Sequence, residues 1–218
     1  MVITQLDEPS GFSQAIHAMR NPMDSWDKSD SKWIWSEYTK DKTVYSVSDI
    51  FKFEIGEKDK DLSIRLQQAG PEHCKHLRMI FVYADIKAPR YWWNEFDTYR
   101  NGVEKVSCST MHKLMARPLS ENDFQYDASH SKILDVVISK INSVMEFWGK
   151  EQNPAEKKRL WRSIIQILPQ SYLQQRTVCM SYAALRNIVR QREGHKLSEW
   201  QQFIDWCKTL PNSWMIFE

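Results

Sequence analysis

Hydrophobic and polar positions change rhythm about half-way along the chain. In the first half the apolar runs are short and separated by turn-forming residues. Gly11 to Arg20 has helical spacing, and the polar stretch NPMDSWDKSDSK after it predicts a loop. TVYSVSDIFKFEI (43–55) suits an extended segment, Asp61 to Gln68 a helix ended by Gly70, and HLRMIFVYADI (76–86) a strand. Ala88 to about Arg100 reads as a helix that tolerates Pro89 in its first turn.

The second half is more plainly helical. ILDVVISKINSVMEFW (133–148) repeats its apolar residues with the 3.6 period. NPAEKKRLWRSIIQIL (153–168) starts with Asn153 as N-cap and Pro154 at the first helical position, and Pro169 ends it. The stretch 176–200 reads as an amphipathic helix on which Val178, Tyr182, Leu185 and Val189 share one stripe, and the next position on that stripe is Arg192. A guanidinium stands where a core residue is due. After Gly194 a last helix runs on Leu197, Trp200, Ile204 and Cys207. Without repeats, low-complexity tracts or a dividing linker, the expectation is one α+β domain over residues 1–218 with helices in excess.

Composition narrows the function classes. The 218 residues suffice for one sizeable core, and 30 basic against 28 acidic residues leave a formal charge of +2. No basic tail announces a nucleic acid polymer or an anionic membrane, so any anionic partner must be met locally. A mean hydropathy of −0.59 and apolar runs far short of the roughly 20 residues that cross a bilayer give no membrane span. MVITQLDEPSGFSQ lacks the basic-then-apolar pattern of an export signal, so the expected location is the cytoplasm. Cys74, Cys108, Cys179 and Cys207 lie far apart, which suggests neither a zinc ribbon nor a disulfide framework. Ten tryptophans, several of them clustered, are mostly core candidates.

Local enzyme motifs are missing. Six glycines leave little room for a glycine-rich phosphate cradle, and there is no HExxH, no GxSxG and no Cys-His pair at metal spacing. A site must be assembled from scattered residues, with no metal.

Three stretches supply such residues: GPEHCKH (70–76) before a strand, APRYWWNEFDTYRNGVEKVSCSTMHK (88–113) after it, and LPQSYLQQRTVCMSYAALRNIVRQREGHKLSEW (168–200). In this order they resemble the flavin-dependent thymidylate synthases, in particular divergent members of the kind carried by phages, over roughly residues 60–205. The resemblance implies a helix-rich α+β fold with a small antiparallel sheet. It places Glu72 and His73 at the family's Glu-His pair, whose histidine helps to hold flavin. Counting from Leu168, Asn187 and Arg192 fall on the family's asparagine and on the arginine that binds and polarises the uracil ring, and His195 follows as a further cofactor contact.

It further implies FAD, NADPH and methylene-tetrahydrofolate as cofactors, dUMP as substrate, and a homotetramer with flavin at the subunit interface. Adding hydride and carbon equivalents across uracil C5–C6 puts negative charge on the ring carbonyls and N3, which a fixed guanidinium stabilises where little water competes. The hydride comes from a cofactor, because side chains cannot supply one.

The family's Arg-His-Arg signature, followed after seven residues by a serine, is not preserved. An ungapped count puts Trp93, Asn94 and Glu95 at the triplet; with an insertion it is Thr98, Tyr99 and Arg100, with Ser107 or Ser109 as the serine. Two further family positions are Ser181 and Ala183 here, and a family arginine falls on Ile165 with Arg162 nearby. Candidate phosphate contacts are Arg90, Arg100, Arg162 and the amides around Ser107 to Thr110. Three readings stand: a thymidylate synthase, a related flavin-dependent pyrimidine modification such as hydroxymethylation, and a non-catalytic nucleotide-binding protein. Without the resemblance, Arg192 is the solvated end of a helix with its stem laid along the stripe.

Overall fold

The computed structural model describes residues 1–35 and 51–218. A four-stranded antiparallel sheet has the order β1 (Val2–Gln5), β4 (Phe81–Pro89), β6 (Leu173–Ser181), β5 (Val103–Ser107), and a separate hairpin pairs β2 (Lys32–Trp35) with β3 (Phe51–Glu54). The helices are α1 (Phe12–Arg20), α2 (Glu57–Ala69), α3 (Arg90–Phe96), α4 (Thr110–Lys113), α5 (Ser131–Lys150), α6 (Pro154–Ile167), α7 (Tyr182–Arg192), α8 (Ser198–Thr209) and α9 (Trp214–Phe217). The fold is thus the helix-rich α+β arrangement with a small antiparallel sheet.

Several boundaries follow the sequence closely. Asn153 caps α6 by accepting the amides of Ala155 and Glu156, Pro154 sits at its start, and Gly70 closes α2 at φ 135°. Others differ. Residues 75–79 form a 3-10 turn, and β4 begins only at Phe81 and runs through Ala88 and Pro89. Its alternate residues Val82, Ala84, Ile86 and Ala88 are fully buried, the period of two expected of a strand with one covered face. Pro89 is therefore the N-cap of α3, and that helix stops at Phe96 instead of Arg100. Two short 3-10 turns occupy the expected loop at 21–28, and α2 is a turn longer than Asp61–Gln68. Of the extended segment 43–55, residues 51–54 form β3, and 43–50 lie outside the described residues.

The chain divides into two compact units, each assembled from non-contiguous stretches. One unit holds 1–4, 84–100 and 104–178. Its helices α5 and α6 enclose Leu134, Ile138, Ile141, Met145 and Ile164, and Trp92, Trp93 and Phe96 of α3 meet with ring centroids about 5 Å apart (4.9, 4.9 and 5.3 Å).

The other unit holds 5–83, 101–103 and 179–218. Its first half is organised by one buried ion pair. Arg20 Nε donates to Asp59 Oδ1 at 2.6 Å, while Asp59 Oδ2 accepts from the hydroxyls of Ser29 and Ser31, both at 2.6 Å, and from the Ser31 amide at 3.2 Å. Asp30 completes the arrangement by accepting the Lys58 and Asp59 amides at the start of α2, where Gly56 offers no side chain of its own. A Cβ on Gly56 would stand 2.2 Å from the Asp30 carboxyl carbon, so glycine is required there. Burial alone raises the Asp59 pKa, but hydrogen bonds from Ser29, Ser31 and Arg20 outweigh it and hold the carboxyl below its usual value.

Two outcomes follow. Asp59→Ala strands the Arg20 guanidinium and is expected to cost about 3–5 kcal/mol in urea unfolding. His76 is buried with Nε2 at 2.9 Å from Ser63 Oγ, and burial pushes its pKa down to about 4. Because its folded pKa lies below the unfolded value of about 6.5, its stabilising contribution is complete above that value and is lost as pH falls toward 4. Thermal scans should show Tm dropping across that window, and His76→Gln should flatten the drop.

Candidate functional site

The region that carries Arg192 is not one long helix from 176. Residues through Ser181 belong to β6, with Val178 and Met180 fully buried two apart, and the helix starts at Tyr182. The junction is fixed on both sides of Ser181. Its amide donates to Gly102 O at 2.8 Å, the Tyr182 amide donates to Ile80 O at 2.9 Å, and the Ser181 hydroxyl accepts the Ala184 amide as N-cap. Gly102 has φ 71°, and a Cβ there would come within 2.4 Å of the Ser181 hydroxyl.

These constraints set the phase of α7. Leu185, Ile188 and Val189 are buried, and Ala183, Asn187 and Gln191 follow one another at steps of four along its open side. Arg192 ends the buried stripe, as its spacing after Leu185 and Val189 predicts. Its guanidinium lies over the indole of Trp200, a fully buried residue of α8, at 4.5 Å from the ring centroid. Gly194, with φ 70°, turns the chain back, and the His195 amide donates to Arg192 O at 3.0 Å. The His195 ring stands edge-on to the same indole at 6.2 Å, with Nδ1 accepting the Leu197 amide. Arg192 and His195 are thus brought together by Trp200, which the sequence reading had placed in the core without assigning it this role.

His73 and Asn187 lie outside that stack. His73 ends the 3-10 turn Pro71–His73, exposed, with Nε2 at 3.6 Å from Glu72. Asn187 is exposed and accepts from Gln191 Nε2 at 2.9 Å. Arg186, a buried residue on α7 absent from the sequence-based candidates, reaches Gln67 of α2.

The phosphate candidates all fall in the other unit. Arg90 opens α3, with its amide donating to Tyr172 O; Arg100 is exposed just beyond α3; Ser107 is the exposed end of β5. The carbonyl of half-buried Ser109 accepts the Lys113 amide, and Trp161 Nε1 donates to Met111 O at 3.0 Å, bringing α6 and its exposed Arg162 alongside the α4 segment. Trp93, at the ungapped signature position, is fully buried: its Nε1 donates to Gln174 O at 2.9 Å, and Arg176 covers its face at 4.3 Å while donating to Asp97 at 2.7 Å. Ring and cation are both committed to the fold, so Trp93 is a core residue.

Among the described residues, no group of three His, Cys, Asp or Glu is placed to hold a metal ion, and no helix is long and apolar enough to cross a membrane.

Compared with solved structures, the whole chain has the fold of the flavin-dependent thymidylate synthases. Two crystal structures of ThyX from Helicobacter pylori, each complexed with FAD and dUMP, cover 100% of this chain and 98% of their own, with a TM-score of 0.68 and 17% sequence identity. No protein-family model matches the chain, and no curated protein matches its sequence.

If Trp200 holds the guanidinium by its π face, the contact should register in a double-mutant cycle. Arg192→Met and Trp200→Leu are expected to couple by about 1–2 kcal/mol in unfolding free energy, the range for a desolvated cation–π pair. Strict additivity would mean that the two side chains merely lie near each other.

Proposed function

We propose that the chain is a flavin-dependent thymidylate synthase-like enzyme that modifies C5 of the uracil ring of dUMP, with Arg192 as the residue that polarises the ring. The observation that carries this reading is the placement of Arg192 on a buried indole at the end of α7, within a fold aligned end to end with a protein solved twice with FAD and dUMP. A guanidinium held against an indole loses little freedom on meeting a carbonyl, and its charge favours electron density pushed onto the uracil O4 and N3.

The residues present fit a flavin in part. His73 and Asn187 are exposed and offer an imidazole and a carboxamide as contacts, and His195 stands by Arg192 as a third. When bound, FAD supplies the hydride that no side chain carries. NADPH as its reductant and methylene-tetrahydrofolate as the carbon source complete the proposal, together with a homotetramer, since His73 and Asn187 are open and a second copy of the chain would close a cleft over them. For the phosphate of dUMP the proposal keeps Arg90, Arg100, Arg162, Ser107 and Ser109.

One observation favours a related reaction, such as hydroxymethylation of the same ring. Trp93 is sealed in the core, and of the alternative triplet Tyr99 is buried while Thr98 and Arg100 are exposed, which favours altered contacts to cofactor and substrate. Both reactions need the ring-polarising arginine.

Four measurements test the reading. Purified protein should be oligomeric and turn yellow with FAD; a colourless monomer would remove both catalytic readings. dUMP should bind more tightly than deoxyuridine by calorimetry, and equal affinities would show that the phosphate contacts are gone. Arg192→Lys keeps the charge but loses the planar fork, so turnover should fall at least about 100-fold, or roughly 2.7 kcal/mol of transition-state stabilisation. Rescue of a thymidine auxotroph by the parent and by Arg192→Leu alike would sink the assignment to Arg192. A parent that binds FAD but never rescues would favour the altered reaction.

A further inference from the structure

Arg186 is one end of a buried hydrogen-bonded chain that joins three elements of one unit. Its Nε donates to Gln67 Oε1 at 3.0 Å, Gln67 Nε2 donates to Ser63 Oγ at 3.4 Å, and Ser63 Oγ meets His76 Nε2 at 2.9 Å. All four side chains are buried. Arg186 comes from α7, Ser63 and Gln67 from successive turns of α2, and His76 from the 3-10 turn 75–79.

Donors and acceptors along this chain fix one another. A guanidinium can only donate, so Gln67 turns its carbonyl oxygen to α7 and its amide nitrogen to Ser63. The Ser63 hydroxyl, already accepting that amide, gives its own proton to His76 Nε2, which leaves the proton of the neutral imidazole on Nδ1. Nδ1 has no hydrogen bond of standard geometry among the described residues, and the backbone group that the ring feels is that of His73. The chain thus runs from α7 to the main chain of the turn Pro71–His73.

The same stretch is tied from two other sides. Arg186 Nη2 also reaches the main-chain oxygen of Gln67 at 3.5 Å, in the last turn of α2, and the Cys74 thiol donates to Gly70 O at 3.3 Å. The His73 amide donates to Gly70 O at 3.1 Å. By contrast the His73 ring is exposed, with only the flexible Glu72 carboxylate of the same turn near it at 3.6 Å. Where that ring stands is therefore set by the backbone of the turn.

Apolar residues of similar volume would stabilise this space about as well, but a fully connected polar chain has one orientation for each member and so specifies a geometry. The geometry specified here is that of the 70–76 segment against α7. Those two stretches carry His73 and Asn187, and Asn187 is the neighbour of Arg186.

We propose that Arg186, Gln67, Ser63 and His76 are positioning residues that hold His73 in register with Asn187 for contact with the flavin. The proposal rests on the flavin reading of His73 and adds to it residues that act through the turn, not by touching the cofactor.

Titration of the purified full chain with FAD, followed by quenching of flavin fluorescence, tests it as a double-mutant cycle. Arg186→Met should weaken FAD about 10-fold in the parent but less than about 2-fold in the His73→Ala background, because two residues that act as a unit are not additive. Arg186→Lys, which still donates to Gln67, should restore part of the affinity. A purely structural role would lower affinity equally in both backgrounds; that result, or no loss in either, overturns the proposal and leaves the flavin reading standing. A parent that binds FAD while His73→Ala is silent removes the His73 contact and this proposal with it, and a parent that binds no FAD overturns both. Should Arg186→Met fail to fold, Ser63→Ala, which deletes one hydroxyl from the middle of the chain, carries the same cycle with the same outcomes.

Discussion

Everything proposed for α7 depends on how β6 is tied off at Ser181. A helix shows its surroundings a different set of residues if it starts one position earlier, because each step rotates the face by about 100°. Here the start is held by three hydrogen bonds within two residues: Ser181 to Gly102, Tyr182 to Ile80, and the Ala184 amide to the Ser181 hydroxyl. Gly102 is the piece that makes the junction fit, since any side chain there would collide with that hydroxyl. With the phase so fixed, Asn187 faces out, Arg186 is buried toward α2, and Arg192 arrives over Trp200. The placements of these three neighbouring side chains thus share one geometric cause.

The same junction explains what was legible in the sequence and what was not. Val178 and Tyr182 lie four apart, which matches a helical stripe, yet the same two residues are also the inward end of a strand and the first turn of a helix. Periodicity over so short a window cannot tell these apart; the serine before Tyr-Ala-Ala-Leu, a ready N-cap, was the signal that the helix begins there. Elements with both a cap and a long regular pattern, such as α6 with Asn153 and Pro154, could be read almost to the residue. β4 was displaced because HLRM, apolar enough to look like strand, winds into a 3-10 turn whose His76 and Leu77 are buried.

Of the candidate site, the chain itself disclosed the residue but not its support. Arg192 was visible as a charge on an apolar stripe. Trp200 under it, and Gln67 against Arg186, are contacts made between helices, and no local pattern encodes them. Trp93 shows the reverse difficulty: counted along the chain it falls where a ligand-binding arginine is expected, while packing puts it at zero exposure beneath Arg176.

That burial bears on how a fold can persist at 17% identity. Backbone pairing and buried apolar volume tolerate wide substitution as long as pattern and size are kept. A binding site does not, because a fixed charge must stand at a particular atom of the ligand. In this chain the helix after β4 carries a buried indole, Trp93, and the guanidinium over it, that of Arg176, pairs with Asp97. On α7, Arg186 rests against the neutral amide of Gln67 and Arg192 over the indole of Trp200. Both lie on the helix whose phase the Ser181 junction holds, so a change at that junction would move the two guanidiniums together.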